Sequence, residues 1–449
     1  MRRPRQIFAA LRSVRLSTLQ FAAVTAVSLL ATVIVIVNAS GKTGLDESAV
    51  LAALEKKVDV HRLAAPSGGG STNSGNPGGG GGGGGSTSGS GSGSGGSSGS
   101  SGSSEGSGDG SGTDDSDDTT TTTTTTSSTT TTATVKYHVK HVFLIALSTP
   151  SYKAAFGRKS VASYLAHTLV KDGTLLSGYQ TLPGSSELAD ELAMVSGQAP
   201  TPDTRGGCAT YAEFPSSAKV ASNGDTSGNG CIYPDNALTL GDQVTSSGSF
   251  WGAYIDDMGS TACVHPNSGA ADDAALPGAG PEYDTRHNPF IYFHSLLDLG
   301  DCQTDDVELT KLPAALRSVS NTPEFTFVAP DACDDAAATS CSGGAPVGLA
   351  GEDVFLKTWV PKIRASAAYK KNGVLLIVFT APGGPGTAGS KAITTGALVL
   401  SQYATAGKKL ATTYDPYSVL ASIDKLLGFT SLAHAKDAKT FIATALPGT

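Results

Sequence analysis

Residues 135–449 predict an α/β fold, a doubly wound, mostly parallel sheet with helices on both faces. Three observations carry this. Val142–Leu147 (VFLIAL) and Val374–Phe379 (VLLIVF) are unbroken apolar runs, the pattern of strands buried on both faces of a parallel sheet. Amphipathic stretches at Lys159–Lys171, Ser186–Val195, Glu352–Ala367 and Ser418–Leu427 separate the strand-like runs, as crossover helices do. The segment is also long enough to bury one large core.

The elements follow in order. Val142–Leu147 runs straight into the polar loop Ser148-Thr149-Pro150-Ser151-Tyr152. In open α/β sheets the carboxyl ends of strands border the ligand crevice, so this uncharged loop is placed where chemistry would occur. Lys159–Lys171 reads as a helix with Val161, Tyr164, Leu165 and Leu169 on one face and Gly173 closing it. Leu175–Tyr179 reads as a strand and Ser186–Val195 as a helix. Phe250–Ile255, Phe290–Phe293 and Phe325–Val328 are short aromatic or β-branched runs of strand type. Glu352–Ala367 turns Phe355, Leu356, Trp359 and Ile363 inward. Ala397–Leu400 is another strand, and Ser418–Leu427 a helix closed by Gly428.

The first 134 residues have a different organisation. Arg2, Arg3, Arg5, Arg12 and Arg15 crowd a basic tail at 1–18, and residues 19–39 carry no charge. As a helix that stretch is roughly 31 Å long, enough to cross a bilayer. The arginines before it predict a cytoplasmic N-terminus and an external C-terminal domain. The length favours a single-pass signal anchor; a cleaved signal peptide ending at Val37-Asn38-Ala39 is the alternative. Residues 40–65 contain a short amphipathic helix, Leu45–Val58. Residues 66–134 are almost entirely Gly, Ser and Thr, cannot offset their ordering entropy, and form a spacer of roughly 45 Å as a random coil. The formal net charge is −8, which gives no nucleic-acid footprint. The expected partners are the membrane, through the N-terminal helix, and a cell-surface ligand.

All six cysteines (Cys208, Cys231, Cys263, Cys302, Cys333, Cys341) fall in the distal domain. An even number in an external segment points to disulfides. Pairing of sequence neighbours, 208–231, 263–302 and 333–341, is the expected connectivity.

Ten blocks in the distal domain, taken together and in order, resemble the phosphoesterase family of phospholipase C-like and acid phosphatase-like enzymes, within the alkaline-phosphatase-like superfamily. They are HVFLIALSTPSY, LAMVSGQAPTP, CATYAEF, GCIYP, FWGAYIDDMG, TRHNPFIYFHSL, VAPDACDD, EDVFLKTWVPKIRASAAY, GVLLIVF and YDPYSVLASIDKLLGF. The resemblance implies a metal-assisted hydroxyl nucleophile acting on phosphate esters, with carboxylates holding the cation. It also implies that most of that machinery is substituted. Where the family ends its first strand in Glu-Asn, this chain has Ser148 and Thr149. The nucleophile position holds Glu187, flanked by Ser185 for the family's His and Asp190 for its Asn. Of the family's Asn-Asp-x-His-Asp only Asp335 matches. The late Asp-Glu pair is Thr380-Ala381. A hydroxyl cannot replace the charge of a carboxylate ligand.

Ser148, Thr149, Glu187, Asp190, Arg286, Asp335 and Thr380 are therefore the candidate crevice residues, with no catalytic residue, metal ligand or cofactor expected. The favoured reading makes Glu187, Asp190 and Glu191 the solvated start of a helix, where acids suit the dipole. In the alternative they converge with Asp334 and Asp335 on a divalent cation, and a hydrolase with a rebuilt acidic site results. Arg286-His287 either holds an anion or forms a turn with Arg286 paired to Asp284. Asp256-Asp257 reads as a loop or capping pair.

Overall fold

The computed structural model describes residues 138–272, 276–335, 341 and 344–449. The expected basic tail, membrane span, juxtamembrane helix and linker lie outside them. Among the described residues, no helix is long and apolar enough to cross a membrane.

Eight strands form one sheet: β1 (His141–Ser148), β2 (Thr174–Tyr179), β3 (Trp251–Ile255), β4 (Asp306–Glu308), β5 (Phe325–Ala329), β6 (Gly373–Thr380), β7 (Ala397–Ser401) and β8 (Lys408–Tyr414). Their spatial order is β4-β3-β5-β1-β6-β7-β2-β8. β1 lies inside the sheet, parallel to β5 on one side and to β6 on the other. Every residue of β1 and β6 is buried, which is why both read as continuous apolar runs. β7 runs antiparallel to β6 and β2, so the sheet is mixed but mostly parallel.

Alternation along β1 divides the core. Val142, Leu144 and Ala146 join one cluster with Leu188 and Leu192 of the Glu187–Ser196 helix and Val419 and Leu420 of the Pro416–Leu427 helix. Phe143, Ile145 and Leu147 join the other, with Phe355, Leu356, Val360 and Ile363 of the Leu349–Ala365 helix. The period-two geometry of a strand sends successive side chains to opposite faces, and helices cover both.

Some local expectations are corrected. β4 and β8 carried no strong sequence signal. β4 has three residues and β8 (KKLATTY) is largely exposed, both at sheet edges. The aromatic run Phe290–Phe293 is not a strand: Pro289–Tyr292 forms a tight, buried helical turn begun by the proline, whose missing N–H suits the first helical position. In the expected Lys159–Lys171 helix, Leu165–Leu169 winds as a wider π-type turn continuing into Val170–Asp172. Its entry is anchored by Asp353, which accepts the Tyr164 and Leu165 backbone N–H groups at 3.1 and 2.9 Å. Val161 points outward, 67% exposed.

The three disulfides Cys208–Cys231, Cys263–Cys302 and Cys333–Cys341 join sequence neighbours. They staple the long excursions between β2 and β6.

Candidate functional site

The carboxyl ends of β1 and β6 lie side by side, with Ser148 opposite Thr380. The Glu187–Ser196 helix starts nearby. Ser186 caps it by accepting the Ala189 N–H at 3.1 Å, and Gly197 ends it in the left-handed conformation, φ 75°. The helix is buried along its whole length. Its acids are therefore not a solvated helix start: Glu187 is 4% exposed and Asp190 and Glu191 are 0% exposed. Packing between the sheet and the Pro416–Leu427 helix overrides the preference of acids for water.

Two chain-distant groups meet Glu187. His287 closes the short turn Thr285–His287, which Asp284 caps. Asp335 lies in the turn region after β5. His287 Nε2 is 3.4 Å from Glu187 Oε2 and 3.5 Å from Asp335 Oδ2. Asp335 Oδ1 accepts the Ser148 backbone N–H at 2.6 Å, which ties the cluster to β1. His287 and Asp335 are 0% exposed. Burial, reinforced by the Asp335 charge, holds the Glu187 carboxyl well above its ordinary range; burial and the same charge do likewise to Glu191. Glu187 Oε1, both Glu191 carboxylate oxygens, both His287 ring nitrogens, Asp335 Oδ2 and Ser148 Oγ are buried without hydrogen-bond partners.

The other candidates do different work. Asp190 points away from Glu187. Its Oδ1 accepts the Leu182 N–H at 2.9 Å and the Ser185 hydroxyl at 2.7 Å, and its Oδ2 accepts the Ala381 N–H at 3.0 Å. Burial pushes its pKa up to about 7 against those hydrogen bonds. Thr149 donates to the Ser151 carbonyl at 3.4 Å and Thr380 to the Leu147 carbonyl at 3.0 Å. These hydroxyls close onto nearby backbone carbonyls, and their positions do not suit a hard cation that needs charged oxygen ligands. Asp334 is half-buried and stays outside the Glu187–His287–Asp335 group.

Arg286 donates from Nε and Nη2 to the two Asp284 carboxylate oxygens at 2.8 and 2.5 Å. It lines a cleft of about 320 Å³ together with Asp272, Glu282 and Asp284, an acidic wall that opposes an anion. Asp257 accepts the Glu282 N–H at 2.7 Å and donates its own N–H to Asp256 at 3.1 Å, so this pair organises a loop.

His287 is the member that sequence reasoning missed, having been considered only beside Arg286. Its signal is local: it directly precedes Asn288-Pro289-Phe290, the entry to a fully buried turn.

Comparison with known proteins places these observations. The structure is similar to a protein of the alkaline phosphatase superfamily from Vibrio parahaemolyticus (10% identity, TM-score 0.40, covering 66% of this chain and 68% of that one). It is also similar to a putative sulfatase from Bacteroides thetaiotaomicron (12% identity, TM-score 0.40, covering 70% and 75%). No curated protein matches the chain. The model of the Phosphoesterase family matches residues 151–430, more than half of the sequence and nearly all of the sheet with its covering helices, and the chain belongs to that family.

Proposed function

We propose that this protein is a membrane-tethered, cell-surface module that uses the phosphoesterase fold for binding or structural support, its inherited ester hydrolysis removed. One observation carries the reading. The strand ends that the family resemblance assigns to metal ligands hold Ser148, Thr149 and Thr380, all fully buried, with both threonines hydrogen-bonded to nearby backbone carbonyls. A phosphate ester there would meet no activated hydroxyl and, of the family's acidic ligand positions, only Asp335, whose Oδ1 is engaged by the Ser148 N–H at 2.6 Å. The uncharged, arginine-preceded stretch at 19–39 and the Gly/Ser/Thr spacer support external display on a membrane anchor.

The convergence of Glu187, His287 and Asp335 favours a second reading, a hydrolase of phosphate esters with a rebuilt acidic centre. Enclosure opposes it, since none of the three is more than 4% exposed. The detergent-solubilised full chain, assayed on phosphomonoesters and phosphodiesters with a panel of divalent metals, is expected to show no turnover. Metal-dependent hydrolysis that disappears in Glu187→Gln would overturn the inactive reading.

A further inference from the structure

Lys153, Arg158 and Lys159 line one groove of about 520 Å³ in the segment that follows β1. All three side chains are exposed, and among the described residues none of them forms an ion pair. No acidic side chain lines the groove, although the chain as a whole carries a net charge of −8. Unpaired cations gathered in one concavity of an acidic protein favour an anionic partner by charge complementarity.

The local chain holds these groups in place. Ser151 caps the Tyr152–Phe156 helix by accepting the Ala154 N–H at 3.2 Å, and Ala155 and Phe156 anchor that helix in the core. Gly157 turns the chain where a Cβ would collide with the Lys153 carbonyl oxygen. Ser160 Oγ then accepts the Ala162 N–H at 3.1 Å. Both serine hydroxyls line the groove. Each accepts from the backbone and keeps an O–H to donate. The polar side chains of the lining are therefore donors, hydroxyls beside ammonium and guanidinium groups. Such a wall selects acceptor-rich anions, carboxylates included. Ala154, Val161 and Leu349 supply the apolar lining, and Val161 stays exposed.

The lining separates the candidate occupants. A bilayer is flat, and it meets exposed cations without filling a recessed apolar groove. Single-stranded nucleic acid binds through aromatic stacking platforms, and no aromatic side chain lines this groove. A peptide supplies both parts, an apolar side chain for the groove and carboxylates for the cations around it. We propose that this groove binds a short acidic segment of a partner protein. One aliphatic residue sits among Ala154, Val161 and Leu349, and its flanking carboxylates meet Lys153, Arg158 and Lys159. The inference gives the binding module a partner class. It stands whether or not the fold hydrolyses esters, because none of these residues belongs to the Glu187–His287–Asp335 group.

Fluorescence polarisation of a labelled peptide, one leucine between two pairs of glutamates, tests this on the detergent-solubilised full chain. Binding is expected in the micromolar range at low salt, weakening about 10-fold between ~50 and ~300 mM NaCl. The combined change Lys153→Gln, Arg158→Gln and Lys159→Gln should weaken it at least ~10-fold. Val161→Ser should weaken it roughly 4-fold at unchanged charge. A peptide with glutamines in place of the glutamates should not bind the unaltered protein, a comparison that needs no variant. No binding of the glutamate peptide, or equal binding of the glutamine one, overturns the site. Tighter binding of a sulfated polysaccharide, unaffected by Val161→Ser, overturns it in favour of a general polyanion surface. Peptide binding without ester hydrolysis supports both this site and the inactive reading. Peptide binding beside metal-dependent hydrolysis removes the inactive reading and leaves the site standing.

Discussion

Asp190 reaches Ala381 across the carboxyl edge of the sheet. Its Oδ2 accepts the Ala381 backbone N–H at 3.0 Å while Oδ1 takes the Leu182 N–H and the Ser185 hydroxyl. One carboxylate thus fastens the loop before the Glu187–Ser196 helix to the end of β6. Here the acid serves the backbone.

Asp190→Ala leaves three buried donors without their acceptor. The expected loss is on the order of 3 kcal/mol or more, with a milder effect for Asp190→Asn, which retains a carbonyl oxygen. Thermal and denaturant unfolding measure it, and a loss below ~1 kcal/mol would show that the donors find other partners.

Asp306 supplies the pH test. It is 0% exposed, accepts one hydrogen bond from Asn288 Nδ2 at 2.7 Å, and burial pushes its pKa up to about 7. The folded value lies above the unfolded one, so the fold accommodates the protonated acid. Its contribution to stability is fully present below the unfolded pKa near ~4 and is lost as pH rises through about 7. Asp306→Asn removes that loss. The variant should gain on the unaltered protein between pH ~4 and ~8, by up to ~4 kcal/mol as an order of magnitude. Parallel stability–pH curves for the two proteins would exclude Asp306 as the titrating group.

Gly197 tests the helix end. Its φ is 75°, and a Cβ there would stand 2.5 Å from the Leu432 carbonyl oxygen. Gly197→Ala combines left-handed strain with that clash and should cost about 2 kcal/mol. Gly428, also left-handed at φ 89° but with open space around it, should lose only ~1 kcal/mol on the same change. Chemical denaturation of both variants compares them directly.

The proposed tether makes a cellular prediction. External protease on intact cells should release a fragment beginning within residues 66–134, where Gly, Ser and Thr dominate the sequence, a composition that favours nicking. Terminal sequencing of the fragment checks it. Release of the intact ectodomain without protease would indicate signal cleavage instead of an anchor.

Much of the scaffold was legible before folding was considered. β1 and β6 announce themselves because strands buried on both faces need apolar side chains at every position, and VFLIAL and VLLIVF have them. The disulfides follow from an even set of cysteines paired as neighbours. Edge strands escape this logic: Lys408–Tyr414 alternates weakly because most of it faces water.

The site was legible only in part. Ser148, Thr149 and Thr380 can be read from the sequence as hydroxyls at the ends of buried strands. The environment of Glu187 cannot, because the ten residues ELADELAMVS offer an acidic face that solvent would accept equally well. Only the tertiary structure buries that face, by covering the helix on every side. Only it brings His287 and Asp335, each about a hundred residues or more away in the chain, within reach of Glu187. The sequence by itself determined the buried strands, the family and the hydroxyls Ser148, Thr149 and Thr380 at the strand ends, since each depends on local composition or order. Tertiary packing decided which charged groups lie in the interior and which of them meet, because burial and long-range proximity belong to the closed chain and not to any segment of it.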